Sequence, residues 1–559
     1  MIVNRFRSFR LIFKVSIYAR CCYSSHGQKG TSLKSSKGDI LTESRHLTPL
    51  CLFHTLECLK IAFAMPEGIR PCQPMRVMLV YSNRTRIMEP APPIGLSYVA
   101  TATRQAGHEV RFLDLMISRD PMAELKMALR EFKPEVVGFS IRNIDNIIAQ
   151  RVSWHINEVA ALIAAVRESG SARIVLGGPA TSILGKTILQ HLEADFAVIG
   201  EGEVVFPRLL ATLSGGRDHR SIPGLCYREN GTIVSSEPVR EPTFGRSGME
   251  DWIRWRPYER AGGTWAIHTK RGCPLACLYC NYPVMEGHQL RSRTPTDVVD
   301  EMQRVIDTVG PRTFEFTDST FNVPESHAVG ICEEIVRRNL RVNLSAVSIN
   351  PLILSRELLA LMKRAGFCSL VITPDSASET MLRNLNKGFP VERVRHAVDL
   401  ARESGIQSTW FFLLGGPGET RGTVEETVSF AETHLDSKQF LTIFLTGIRL
   451  LPGTPLTQKA IAEGYIPPDQ DLCEPVFYFS PDVDEEWVIE RINQAIAKCP
   501  TIVHGAEQNG SWLERAYNRA LYWAGAAPPY YRFLPGFLRI PPLPALRARS
   551  TGVHASRRP

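Results

Sequence analysis

RGCPLACLYCNYP, residues 271–283, places Cys273, Cys277 and Cys280 within eight positions, with no fourth cysteine nearby. How these thiols are used decides how the rest of the chain is read. A disulfide takes cysteines two at a time. Structural zinc favours four ligands, commonly as two CxxC pairs, and the chain has no second CxxC. A redox CxxC pair would leave Cys273 idle. A [4Fe–4S] cluster can be held by three thiolates that leave one iron open to an outside ligand, and CxxxCxxC lets one tight loop wrap three corners of a cube. A chance cluster of core cysteines is the remaining reading. Gly272 and Pro274 speak against it, because they punctuate a shaped loop rather than a core segment.

With Tyr279 just before its last cysteine, the stretch resembles the signature of radical S-adenosylmethionine (SAM) enzymes. The resemblance implies that Cys273, Cys277 and Cys280 hold a [4Fe–4S] cluster whose open iron chelates the amino and carboxylate groups of SAM. An electron from the cluster would then cleave the sulfonium to a 5′-deoxyadenosyl radical.

The 559 residues allow two or three domains with cores of their own. Hydrophobic content of 44% and charged content of 22% are ordinary for a globular protein. Much of the net charge of +8 sits at the two ends, so it does not imply a nucleic-acid groove. No apolar run reaches the length of a membrane span. Residues 1–74 are basic, rich in Ser and Cys and without steady period. They fit a mitochondrial transit peptide, or translated upstream sequence ahead of a start at Met65 or Met75. The second reading is preferred, and the segment is expected to be disordered or foreign to the native protein. Outside the triplet, cysteines fall singly, which fits a reducing cytoplasm.

From 75 to 215 five strand-like runs alternate with five helical ones. That pattern predicts an α/β, doubly wound, Rossmann-like domain with its ligand at the strand C-termini. Small or polar residues close the strands: Ser82 and Asn83, Ser140, Gly177 and Gly178, then Gly200, Glu201 and Gly202. Glycines there let a ligand approach the backbone. Ahead of the cysteine triplet, this resembles a cobalamin-binding domain. The resemblance implies that Ser140, Gly177 and Gly178 line the slot for the nucleotide tail, with Gly200 and Glu201 alongside. The loop SNRTRIMEPAPPIG, residues 82–95, has no histidine, so a lower axial ligand is expected to be absent or water. Arg84 or Arg86 is a candidate cation beneath the cobalt.

Residues 216–258 read as a linker with short strand-like pieces, GLCYREN and GTIVSSE, and a turn at Asn230-Gly231, and residues 259–470 as a second domain of six βα units. Six units fit the partial (β/α)6 barrel of the radical SAM fold, with its site residues at strand C-termini. The resemblance implies that Asp318 accepts a hydrogen bond from the SAM ammonium. It places Ser345 and Ser348 about the third strand's end, Asp375 near the ribose or carboxylate, and Gly415 and Gly416 beside the adenine. Tyr279 would lie against the cluster loop or adenine, and Lys270 and Arg271 would balance cluster charge or be solvated. Residues 471–559 are helical with a Pro- and aromatic-rich tail, either a cap on the barrel or a surface tail.

The order of the two domains resembles cobalamin-dependent radical SAM methyltransferases. It implies transfer of a methyl from SAM through methylcobalamin to an unactivated carbon or phosphorus. The expected substrate is a small or carrier-bound natural product or secondary metabolite, and the expected reductant a flavodoxin or ferredoxin. RNIDN, residues 142–146, is similar to a motif of tryptophan C2-methylating members. Two alternatives stand: a cyclase or rearrangement enzyme with the same cofactors, and a non-catalytic corrinoid-binding protein.

Overall fold

RVMLVY is apolar without alternation, the pattern of a strand covered on both faces, and Arg76–Tyr81 forms β1 inside the first sheet. The computed structural model describes residues 73–238, 240–505 and 512–539, without the side chains of Arg86 and Ile87. The expectations for residues 1–72, for the Arg86 side chain and for the tail from 540 lie outside the described residues.

Parallel strands β2 (Glu109–Asp114) and β3 (Val136–Ser140) flank β1, and β4 (Arg173–Gly177) and β5 (Phe196–Val198) follow in the order β2-β1-β3-β4-β5. Helices α1 (Ile94–Gln105), α2 (Pro121–Phe132), α3 (Ile156–Ser169), α4 (Pro179–His191) and α5 (Gly202–Ser214) make the connections. Local chemistry sets their ends. At α2 the Asp120 carboxylate accepts from the Ala123 N–H, Pro121 opens the first turn and Lys133 closes the helix in a left-handed conformation. The strand order reverses between β1 and β3, which opens a crevice at their C-terminal ends.

The linker reading needs correction. Within 216–258, β6 (Leu225–Glu229) pairs antiparallel with β5, and β7 (Thr232–Ser235) pairs with β6 around Asn230-Gly231. A hairpin this short cannot stand alone. Here it is stabilised by pairing to the otherwise bare edge of β5.

The second sheet begins with β8 (Trp265–Ile267), which runs into a two-residue ladder of β9 (Lys270–Arg271) and β10 (Arg291–Ser292). Then come β11 (Thr313–Phe316), β12 (Asn343–Ile349), β13 (Phe367–Asp375), β14 (Gln407–Leu414) and β15 (Phe440–Thr446). Each lies parallel beside its predecessor, so the helices share one face, as in a singly wound barrel left open. To the six expected strands residues 471–559 add a seventh, β16 (Ile502–His504), which is parallel to β15. Three residues are too few to show a period. Tyr531 of the same region packs among Val371, Leu441 and Ile443, and the Thr313 hydroxyl donates to the Pro528 carbonyl at 2.5 Å. Residues 528–531 therefore cover the barrel near the strand N-termini, whereas Phe479 and Ser480 of the same region pack at Gly415, at the C-terminal end of β14. Among the described residues no helix is long and apolar enough to cross a membrane.

Candidate active site

The cysteine loop leaves β9 at Gly272, whose φ of 89° is left-handed. A Cβ there would stand 2.0 Å from the Gln289 carbonyl oxygen, so only glycine fits. Gly272 N–H donates to Glu286 Oε2 at 2.8 Å, Cys273 N–H to the Gly287 carbonyl at 3.0 Å, and the Ser319 hydroxyl to the Gly272 carbonyl at 2.8 Å. Asp318, fully buried, holds the strand before the loop. It accepts from Thr269 N–H at 2.8 Å, Thr269 Oγ1 at 2.6 Å, Lys270 N–H at 3.2 Å and Lys270 Nζ at 2.9 Å. Burial alone would push this carboxyl up, but Lys270 and these hydrogen bonds hold it below the usual range.

Two expectations therefore change. A carboxylate offers about four acceptor sites, and all of Asp318's are taken, so it does not wait for a SAM ammonium. Lys270 is spent on Asp318 and on the Phe321 carbonyl at 2.9 Å. Arg271 pairs with Glu203 at 2.5 Å and lies over the Phe244 ring at 4.3 Å, so neither cation faces the thiols as a free counter-charge.

Cys273 is buried, Cys277 and Cys280 are half-buried, and all three are free thiols. Burial raises all three, Cys280 to about 12. Among the described residues no three His, Cys, Asp or Glu side chains converge as ligands of one ion would. Three thiols on one short loop fit a cluster offering each its own iron. The nearest cation is one the sequence did not advertise, Lys387. Its Nζ bonds Asp375, lies 3.5 Å from the Tyr279 hydroxyl and sits 5.9 Å over the Tyr279 ring. Tyr279 also donates to Asp375. Two further bonds lace this segment to the loop: Leu278 N–H to the Leu385 carbonyl at 3.0 Å, and Asn386 Nδ2 to the Ala276 carbonyl at 2.7 Å. Only the turn residues Asn386-Lys387-Gly388 hinted at it in the sequence.

Around the loop, neighbouring strands end in left-handed residues: Ser348 with φ 56°, Asp375 with 68°, Gly415 with 90° and Gly447 with 73°. Two are not glycine, and such strain collects at functional sites. Ser345 does not belong with them. It lies near the start of β12, opposite Glu315 and Ser369, so the residue at the strand's end is Ser348. Gly415 and Gly416 are at the expected place, but the neighbours that exclude a side chain come from the chain itself. The Phe479 ring stands 2.6 Å from a Cβ on Gly415, and Met381 stands 3.1 Å from one on Gly416.

In the first domain Ser82 and Ser140 meet at the crevice between β1 and β3, the Ser82 hydroxyl donating to the Ser140 carbonyl at 3.1 Å. Beside them Asn83 Oδ1 is buried without a partner, and nothing lies within 4 Å of where a Cβ on Gly177 would stand. An open edge with an orphaned acceptor fits a bulky, amide-bearing ligand such as a corrinoid. Gly178, with φ 95°, has the Ile141 carbonyl 2.7 Å from its Cβ position. The Gly200 N–H donates to Ser182 Oγ at 3.0 Å, so this glycine shapes the turn before α5. Glu201 is corrected: its carboxylate takes Arg291, Arg271 at 3.4 Å and the Glu241 N–H at 3.1 Å. It ties the start of α5 to the β9–β10 hairpin under the cysteine loop. Arg84 is exposed. In RNIDN, Asp145 is buried against Arg449 at 2.9 Å and Asn146 Nδ2 donates to the Arg151 carbonyl at 2.7 Å, so both serve the loop's anchorage.

Residues 267–431 match the radical SAM superfamily and residues 84–210 the B12 binding domain. The chain carries a radical SAM domain and a B12-binding domain. It is 28% identical to an uncharacterised methyltransferase of Pyrococcus horikoshii over 391 residues, 67% of this chain and 80% of that one. It is 28% identical to the tryptophan 2-C-methyltransferase of Streptomyces laurentii over 446 residues, 68% of this chain and 74% of that one. Among solved structures it resembles the radical SAM methyltransferase TsrM of Kitasatospora setae, determined with cobalamin and a [4Fe–4S] cluster bound. The TM-score is 0.72 at 25% identity, covering 86% of this chain and 100% of that one. The two matched regions contain the cysteine loop with Asp375, Lys387 and Gly415, and Ser140, Gly177 and Gly178 of the crevice; Ser82 and Asn83 lie just before the second region and Gly447 after the first.

Proposed function

We propose that this protein is a cobalamin-dependent radical SAM methyltransferase. It would move a methyl group from SAM, by way of a bound corrinoid, to an unactivated carbon or phosphorus of a small or carrier-bound metabolite. The observation that carries the reading is the Glu201–Arg271–Arg291 bridge, which fixes the cysteine hairpin to the first turn after the B12-binding crevice. Two cofactor cradles locked to each other suit a methyl passed between them. When bound, the cluster and SAM would supply reducing and radical chemistry, and the corrinoid a transferable methyl.

The chain's own residues do the rest. Cys273, Cys277 and Cys280 would ligate three irons. Tyr279 and Asp375 would shape the floor beside them, and the left-handed strand ends at Ser348 and Asp375 would border SAM. Ser82, Asn83, Ser140, Gly177 and Gly178 would border the corrinoid. A flavodoxin- or ferredoxin-type reductant and a reducing cytoplasmic setting accord with free, half-buried thiols.

The test is anaerobic reconstitution, followed by iron, sulfide and cobalt analysis and incubation with methyl-labelled SAM and candidate acceptors. Label in a new C–CH3 or P–CH3 bond supports the reading. A product without label overturns it in favour of cyclisation or rearrangement. Absence of iron overturns it altogether.

A further inference from the structure

We propose that Lys387, opposed by Asp375, sets the reduction potential of the cluster that the three cysteines would hold. The inference rests on the preceding reading of the cysteine loop, and it assigns an electrostatic role to a pair of which the sequence marked only Asp375.

The geometry places the cation beside the cysteine loop. The backbone bond from Leu278 to Leu385 and the side-chain bond from Asn386 to Ala276 fasten residues 385–386 to the loop between Cys273 and Cys280. Lys387 follows directly. It is 8% exposed, with Nζ against Tyr279, one residue from Cys280. The thiols Cys277 and Cys280 both feel its charge. Asp375 is 3% exposed and bonds the same Nζ, so it withdraws part of that field.

Lysine seldom sits buried without a purpose in packing or charge, since desolvation disfavours its ionised form. Here the partner carboxylate keeps it charged, and burial keeps its field from being screened by salt. A cluster with three thiolates gains one negative charge when a single electron enters from a low-potential donor; no bond or proton need follow. A fixed cation stabilises that added charge and a fixed anion opposes it. The two members of one ion pair should therefore shift the potential in opposite directions. A merely structural pair would not do this, because removing either partner would disturb the loop in the same sense.

The experiment is a redox titration of the reconstituted protein, reading the reduced cluster by electron paramagnetic resonance, with iron content measured alongside. Lys387→Gln is expected to raise the ratio of oxidised to reduced cluster at fixed potential about tenfold, or about 59 mV for one electron. Asp375→Asn is expected to lower that ratio, and Lys387→Arg to leave it within about twofold. Shifts of one sign in both neutralised variants, or no shift in either, overturn the proposal. If Lys387→Gln fails to hold iron, Asp375→Asn and Lys387→Arg decide alone, because both keep the side-chain volume. A wild type without iron refutes the functional reading itself, whereas a full cluster with unmoved potentials refutes only this inference.

Discussion

Replacing Gly272 by alanine should dismantle the cysteine loop. Its Cβ would meet the Gln289 carbonyl oxygen at 2.0 Å and the carbonyl carbon at 2.9 Å, at a backbone φ of 89°. A left-handed non-glycine residue costs about 1–2 kcal/mol. Backbone cannot rotate away as a side-chain end can, so the loop must shift by about 1 Å, well beyond hydrogen-bond tolerance. Three bonds then open: Gly272 to Glu286, Cys273 to Gly287 and Ser319 to Gly272. At about 1 kcal/mol each, the sum is about 4 kcal/mol, roughly a thousandfold in the folding equilibrium. The assay is urea unfolding together with iron and sulfide content after anaerobic reconstitution. Gly245→Ala is the control, since nothing lies within 4 Å of its Cβ position. The reasoning fails if Gly272→Ala keeps the wild-type iron content and loses less than about 1 kcal/mol.

Further outcomes follow from other contacts. Asp318→Ala leaves Lys270 buried without its carboxylate and should cost about 3–5 kcal/mol, whereas Asp318→Leu combined with Lys270→Met should cost less. Urea midpoints would show it, and equal losses would contradict the pairing. Gly178→Ala, with its Cβ 2.7 Å from the Ile141 carbonyl, should weaken corrinoid binding at least about tenfold while iron content stays whole. Unchanged cobalt uptake would remove Gly178 from the crevice. Glu419 is held by burial at about 7, against the Gly415 N–H at 3.2 Å and Thr423 Oγ1 at 2.7 Å. Its folded pKa is raised, so between about pH 4.5 and 7 the unfolded chain loses this proton first and stability falls as pH rises, by about 3 kcal/mol. Glu419→Gln should flatten that slope in urea titrations across the range, and an unaltered slope would exclude Glu419 as its source.

Much of this was legible before any coordinates. RVMLVY announced a buried strand and PMAELKMALREF a helix, because apolar period acts within one turn or one strand. CxxxCxxC marked the loop, because three thiols so close serve few purposes. The errors share one cause. Asp318 and Glu201 are carboxylates just past strand ends and Ser345 a serine early in β12, and the sequence shows the side chain but not what it meets. Asp318 is consumed by Lys270, which is 48 residues away, and Glu201 by Arg291, which is 90 residues away. Ser345 falls at the wrong end of β12 because register is a property of the neighbouring strands.

Composition, period and spacing determined on their own that this chain carries two successive α/β sheets and a three-thiol loop, since those signals are local. Tertiary structure decided what lies beside the loop. Lys387 is 107 residues from Cys280 in sequence and is brought to it by the short helix Glu379–Asn384 that follows β13. Tertiary structure also decided that the β6–β7 hairpin belongs to the first sheet. Burial and ion pairing reward whatever the fold brings together, and no window of sequence contains that partner.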